Sequence, residues 1–247
     1  EAERVKIAIL GKPNTGKSTL TNLLVGKDIS IVSDIAGTTR DVVMGAFNYK
    51  GTDFTVLDTA GIRRKSKVEE DVEYYSVNRA IKTIDEADVV LLMIDSVEGL
   101  SDQDKKIANL IVRRGKGIIL VLNKIDLLAG IGNELEAIKD RVRFLFPILN
   151  FAPITSISAL KGQDIGKLLD MVWMVWKQLN KRVDTARLNE AIKVWSEAYQ
   201  PPRGGSGHYK VYYGTQISAN PVKFLFFVNR VKEFPQIYIQ YLKNNIR

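Results

Sequence analysis

Residues 5–24 place the tightest constraint on the fold. An apolar run at 5–10 reads as a buried strand. Gly11-Lys12-Pro13-Asn14-Thr15-Gly16-Lys17-Ser18 follows it directly, and 19–24 reads as the start of a helix. In a strand–loop–helix setting, Gly11 and Gly16 let the backbone curl into a nest of N–H groups aimed at phosphate oxygens. Lys17 then reaches the β- and γ-phosphates, and the Ser18 hydroxyl sits on Mg²⁺. Asn14, Thr15 and Thr19 complete the candidate phosphate-binding run. A glycine-rich turn of no function could match the same spacing by accident, but its place between a strand and a helix argues against that.

Similar alternation runs through the first part of the chain. Short apolar, β-branched runs at 5–10, 53–57, 89–94, 118–122 and 153–157 are separated by helix-period segments at 72–84, 102–114, 134–145 and 164–179. Such a pattern predicts an α/β fold, a mostly parallel six-stranded sheet with helices on both faces. Residues 42–49, turned by Lys50-Gly51-Thr52, supply its antiparallel edge strand. Near residue 180 the order changes to helix (185–199, capped by Asp184 or Thr185), a Pro/Gly loop, two strands (209–217 and 222–228) and a helix after Pro235. The chain stops within that last helix, so a truncated second module is expected.

Charge follows the same division. The chain carries a net charge of +8. From residue 179 onward there are 11 Lys/Arg and 4 Asp/Glu, against 25 and 24 before it. A near-neutral module joined to a basic one has polyanions among its partners, unless the basic face is merely solvated. With no cysteine and one histidine, His208, disulfides, cysteine-based zinc sites and His-dependent triads are excluded or improbable. No leader pattern and no apolar run of about 18 residues is present, so a cytoplasmic protein with no membrane contact is expected.

Four further motifs stand in the order that the phosphate loop calls for. Asp58-Thr59-Ala60-Gly61 follows the third strand, where a carboxylate can hold Mg²⁺ through water and the Gly61 N–H can meet the γ-phosphate. Upstream, Gly37-Thr38-Thr39-Arg40-Asp41 offers the Thr39 hydroxyl to the same ion. Asn123-Lys124-Ile125-Asp126 follows the fifth apolar strand. A carboxylate there accepts two hydrogen bonds from guanine N1 and N2, which adenine does not offer. After the last strand, Ser158-Ala159-Leu160 presents backbone N–H to guanine O6. Each motif alone reads equally well as a cap or loop residue. Five in order, four of them directly after strands, predict a GTP-hydrolysing domain.

These residues resemble the Era-type GTPases, and among them the Der (EngA) family of ribosome-assembly GTPases. The resemblance is carried by GKPNTGKSTL, GTTRD, DTAGIRRKSKVEEDVEYYS, QDKKIA and the terminal YYGTQISANPVKFLFFVN. It covers nearly the whole chain and implies a GTPase domain at 1–180 and a KH-like α+β domain at 183–247, lacking its last strand. It also implies an upstream GTPase domain in the natural protein, the large ribosomal subunit or its rRNA as partner, and action as a monomer. One departure is Ile125, where the family's second GTPase domain usually carries Trp; Asn123 and Asp126 are intact.

Ile62 stands where Ras-like enzymes place the glutamine that orients water, so slow intrinsic turnover is expected. The resemblance implies a substitute: Asn14 binding K⁺ beside the phosphates, with Lys17, Thr39 and Gly61 as its catalytic companions. The alternative for Asn14 is a simple turn residue. Arg63-Arg64-Lys65-Ser66-Lys67 is either a solvated loop or a contact made in one nucleotide state. In the second module Gly204-Gly205-Ser206-Gly207 spells the GXXG of RNA-clamping KH domains, but it precedes the first strand and reads as a flexible linker. The clamp position falls at 230–235, which holds no glycine. Alternatives are a GTP-gated interaction module that never touches RNA, and a tRNA-modification GTPase, which the KH-like tail disfavours.

Overall fold

The computed structural model describes residues 4–26, 45–57, 72–128, 130–204 and 207–247. The expectations at Thr39, Asp58, Gly61, Ile62 and 63–67 fall outside the described residues. The chain divides into two compact units, Glu1–Gln178 and Leu179–Arg247.

In the first unit six strands form one sheet: β1 (Arg4–Leu10), β2 (Gly45–Tyr49), β3 (Thr52–Val56), β4 (Val89–Asp95), β5 (Gly117–Asn123) and β6 (Ile154–Ser156), in the order β2-β3-β1-β4-β5-β6. All pairings are parallel except β2 with β3. That edge hairpin turns on Lys50 and Gly51, both at positive φ (50° and 80°), the twist that a two-residue hairpin loop needs. The mostly parallel α/β architecture expected from the alternation is present. Strands β4 and β5 are buried at every position. Sequences such as VVLLMID and GIILVLN can stay in register only where helices cover both faces.

The covering helices are α1 (Lys17–Val25), α2 (Val72–Glu86), α3 (Asp102–Arg113), α4 (Ile131–Leu145) and α5 (Ile165–Leu179). Helix α3 starts with a capping box. The Asp104 N–H donates to Ser101 Oγ at 3.3 Å, and the Ser101 N–H donates to Asp104 Oδ2 at 2.9 Å. Its apolar stripe, Ala108 and Ile111, packs with Leu92, Ile94, Leu120 and Leu122 in the main core. No helix among the described residues is long and apolar enough to cross a membrane.

The second unit opens with α6 (Thr185–Ala198), capped by Asp184, whose Oδ1 accepts the Arg187 N–H at 3.1 Å. The Gly-rich segment differs from a plain linker. Residues Arg203–Gly204 (β7) pair antiparallel with Gly207–His208 (β8), because backbone groups satisfy one another where no other ladder is at hand. Strands β9 (Val211–Ser218) and β10 (Lys223–Val228) form an antiparallel pair, followed by a short 3₁₀ turn at Val231–Glu233 and α7 (Gln236–Ile246). Helix α6 rests on β9 at Gly214, where a Cβ would come within 2.6 Å of Ile192. Asn189 secures the contact through both ends of its amide, donating to the Gly214 carbonyl (2.8 Å) and accepting its N–H (2.9 Å). Phe234, Tyr238 and Leu242 form the small core. The opposite sheet face leaves Tyr213, Ile217, Leu225 and Phe227 exposed, with the Tyr213 and Phe227 rings 5.8 Å apart.

Candidate nucleotide-binding site

The loop between β1 and α1 is held in a shape that its glycines require. Gly11 lies at φ 148°, and a Cβ there would stand 2.5 Å from the Met93 carbonyl oxygen of β4. Gly16, the N-cap of α1, lies at φ 94°, and a Cβ there would overlap the Asn123 amide. Asn14 adopts φ 65° and is exposed, a left-handed conformation that Asn tolerates better than most residues. Buried Thr15 donates its hydroxyl to the Lys12 carbonyl at 2.9 Å, and the Lys17 ammonium donates to the same carbonyl at 2.6 Å. Helix α1 begins with no side-chain cap and no acidic residue in its first turn. The N–H groups of Lys17, Ser18 and Thr19 therefore meet no intrahelical carbonyl, and the helix dipole adds positive potential there. This cradle of glycine backbone, ammonium and helix N-terminus fits a phosphate chain. Ser18, half-buried in that first turn, fits the Mg²⁺ that accompanies nucleotides in GTPases.

Asn123, at the end of β5, ties this loop to the opposite side of the site. Its Nδ2 donates to the Thr15 carbonyl at 2.8 Å, and its Oδ1 accepts the Ala159 N–H at 2.9 Å. The side chain is buried and acts as a strut, beyond the base contact its motif implied. Asp126 sits half-buried in the 3₁₀ turn Ile125–Leu127. The Ser158 hydroxyl beside it, assisted by the charge of Lys161, holds its carboxyl below the ordinary value. Ser158 and Gln163 close a tight loop by exchanging backbone hydrogen bonds of 3.3 and 3.0 Å, and Leu160 is exposed at its tip. An ionised carboxylate is what reading the guanine N1 and N2 donors requires.

Gly11, Asn14, Thr15, Gly16, Lys17, Ser18, Thr19, Asn123, Lys124, Asp126, Ser158, Ala159 and Leu160 thus lie at the ends of β1, β5 and β6, on the loops that follow them or in the first turn of α1, at the carboxyl ends where open α/β sheets bind ligands. Sequence reasoning missed the turn after β4. Lys124, at φ 68°, directs its ammonium to Asp95 Oδ2 at 2.5 Å. Burial pushes the Asp95 carboxyl up, but Lys124 and the N–H groups of Val97 and Glu98 outweigh it and hold the group below its ordinary value. Glu98 pairs with Lys12 at 2.8 Å. A signal was present: Asp95 is the one charged residue closing an otherwise apolar strand.

Comparison with known proteins converges on the same chemistry. Residues 6–124 match a family described as 50S ribosome-binding GTPase, and residues 182–247 match the KH-domain-like family of EngA bacterial GTPase enzymes, C-terminal. GTPase Der of Borrelia garinii subsp. bavariensis is 48% identical over 247 residues, which are 100% of this chain and 56% of the relative. GTPase Der of Treponema pallidum subsp. pallidum is 46% identical over 98% of this chain and 53% of its own length. The chain spans about half the length of the curated relatives it matches. A crystal structure of Era with MgGDPNP and a segment of 16S ribosomal RNA is 31% identical, with a TM-score of 0.54, covering 100% of this chain and 88% of that one. Translation elongation factor SelB from Methanococcus maripaludis shares the fold at 18% identity and a TM-score of 0.56, over 75% of this chain and 36% of its own. Identity of 46–48% to GTPase Der relatives over 98–100% of its length, with the EngA-type C-terminal match beside it, shows that the chain belongs to the Der family of GTPases.

Proposed function

We propose that the chain is a GTP-hydrolysing switch in the cytoplasm, acting in assembly of the large ribosomal subunit and stimulated by K⁺. The observation that carries this is Asn123, which links the loop after β1 to the loop after β6 and so holds the two sides of one nucleotide site together. Relatives named GTPase Der, and an Era relative solved with ribosomal RNA, support the ribosomal part.

Lys17 and the N–H groups of the first turn of α1 would bind the phosphates, while Asp126 selects guanine and a backbone N–H of the 158–160 loop meets its O6. Mg²⁺ bound with the nucleotide supplies positive charge to the phosphates, and Ser18, with Thr39 and Asp58, would hold it. Asn14 would hold K⁺, whose charge would supply the transition-state stabilisation that an arginine finger gives in other enzymes. Gly61 would sense the γ-phosphate, and Lys210, Lys223, Arg230 and Lys232 would add phosphate contacts to rRNA. The natural protein's upstream GTPase domain is a further partner, and the chain acts as a monomer.

Co-sedimentation with ribosomal subunits in a GTP analogue and in GDP tests the switch. Retention on the large subunit in the analogue alone is expected, and retention in neither state overturns it for this chain. A second reading, a GTP-gated interaction module without RNA contact, is favoured by the exposed apolar face of β9–β10. It is favoured also by the glycine-free turn at 230–235, where Arg230 takes φ 52°. Under that reading, added rRNA leaves nucleotide turnover unchanged.

A further inference from the structure

The turn after β4 touches both halves of the nucleotide site. Asp95 is buried, its side chain only 4% exposed. Its Oδ1 accepts the Val97 N–H at 2.9 Å and the Glu98 N–H at 3.3 Å, which shapes the turn. Its Oδ2 takes the Lys124 ammonium, from the base-side loop. Glu98, on the same turn, takes the Lys12 ammonium, from the phosphate loop, and Asp104 and Asp95 add to the negative field around that cation. The Ser96 N–H donates to the Asn123 carbonyl at 2.9 Å. One short segment, anchored on a fully buried strand, therefore grips a cation from each loop.

We propose that Asp95 is a positioning residue for guanine nucleotide: it fixes Lys124 while Glu98 fixes Lys12, and the turn between them sets the spacing of the phosphate and base loops. This rests on the nucleotide-binding reading above. Both carboxylate oxygens are engaged within the turn and by Lys124, so Asp95 acts through those neighbours and its removal acts on binding more than on the chemical step.

Asp95→Asn keeps an acceptor for the Val97 and Glu98 N–H groups and removes the charge facing Lys124. Release of a fluorescent GDP analogue is expected to quicken about tenfold, as for loss of one charge-assisted buried bond. The KM for GTP should rise by a similar factor while kcat changes by less than about twofold, since uniform binding is what is lost. Glu98→Gln, at a partly exposed pair, should quicken release only about two- to threefold. Asp95→Asn/Lys124→Met should release GDP no faster than Lys124→Met alone, because no charge is left stranded. Wild-type release and KM in Asp95→Asn, or additive effects in the double variant, overturn the proposal. Should Asp95→Asn fail to fold, unchanged release in Glu98→Gln overturns it. A wild-type chain that binds no GDP overturns the underlying nucleotide reading instead.

Discussion

Truncating Asn123 to Ala removes the strut between the phosphate loop and the base-side loop. Two hydrogen bonds vanish, at 2.8 and 2.9 Å, and both surviving partners, the Thr15 carbonyl and the Ala159 N–H, are backbone groups of buried residues. A buried group left unpaired costs about 1–3 kcal/mol, so the pair is worth about 2–6 kcal/mol if nothing relaxes. Water entering from the open side of the site lowers this, and about 2–3 kcal/mol is the working figure. The cost divides between the fold and the nucleotide complex, so two measurements are needed: urea unfolding of the nucleotide-free chain, and GDP affinity by calorimetry. If the whole of it fell on the complex, GDP would bind about 30- to 150-fold more weakly. Asn123→Asp separates the two bonds. It keeps the acceptor for Ala159 but sets a carboxylate oxygen against the Thr15 carbonyl, so its GDP affinity should fall at least as far as that of the Ala variant. Unchanged stability and unchanged affinity in Asn123→Ala would refute the strut.

Asp126→Asn should move preference from GTP to xanthosine triphosphate, and undiminished GTP use in competition assays would remove the base-reading role. Turnover of GTP should be faster in KCl than in NaCl at equal ionic strength; equal rates would leave Asn14 as a turn residue. Tyr238 is fully buried in the second unit and its hydroxyl meets Ser196 Oγ at 3.3 Å. Tyr238→Ala should destabilise that unit by about 3–5 kcal/mol and Tyr238→Phe by about 1 kcal/mol, read from denaturant unfolding. Equal losses in the two variants would assign the effect to the hydroxyl and not to the ring.

The sheet was legible because β4 and β5 are apolar at nearly every position, while the helices between strands carry a 3.6-residue period. The phosphate loop was legible because glycine at 11 and 16 answers a backbone need that any fold of this kind shares. Asn123 was found as a motif member, but its strut role depends on Thr15 being folded against it, a tertiary fact with no local mark. Asp95 and Glu98 were passed over because an acidic residue at a strand end reads as an ordinary turn residue. Residues 204–207 read as a linker, since a run of glycine and serine hides a backbone pairing that needs no side chain.

Burial of β4 and β5 at every position has a consequence for how the chain breathes. Amide hydrogens of Val90–Ile94 and Ile119–Leu122 should exchange with solvent only when the whole unit unfolds, whereas those of the attached loops exchange through small local openings. Asp95 and Asn123 are the last residues of these two strands, so the supports of the site are anchored directly on the segments expected to exchange slowest in this unit. Loops around a nucleotide can then open and close many times against a frame that does not open with them.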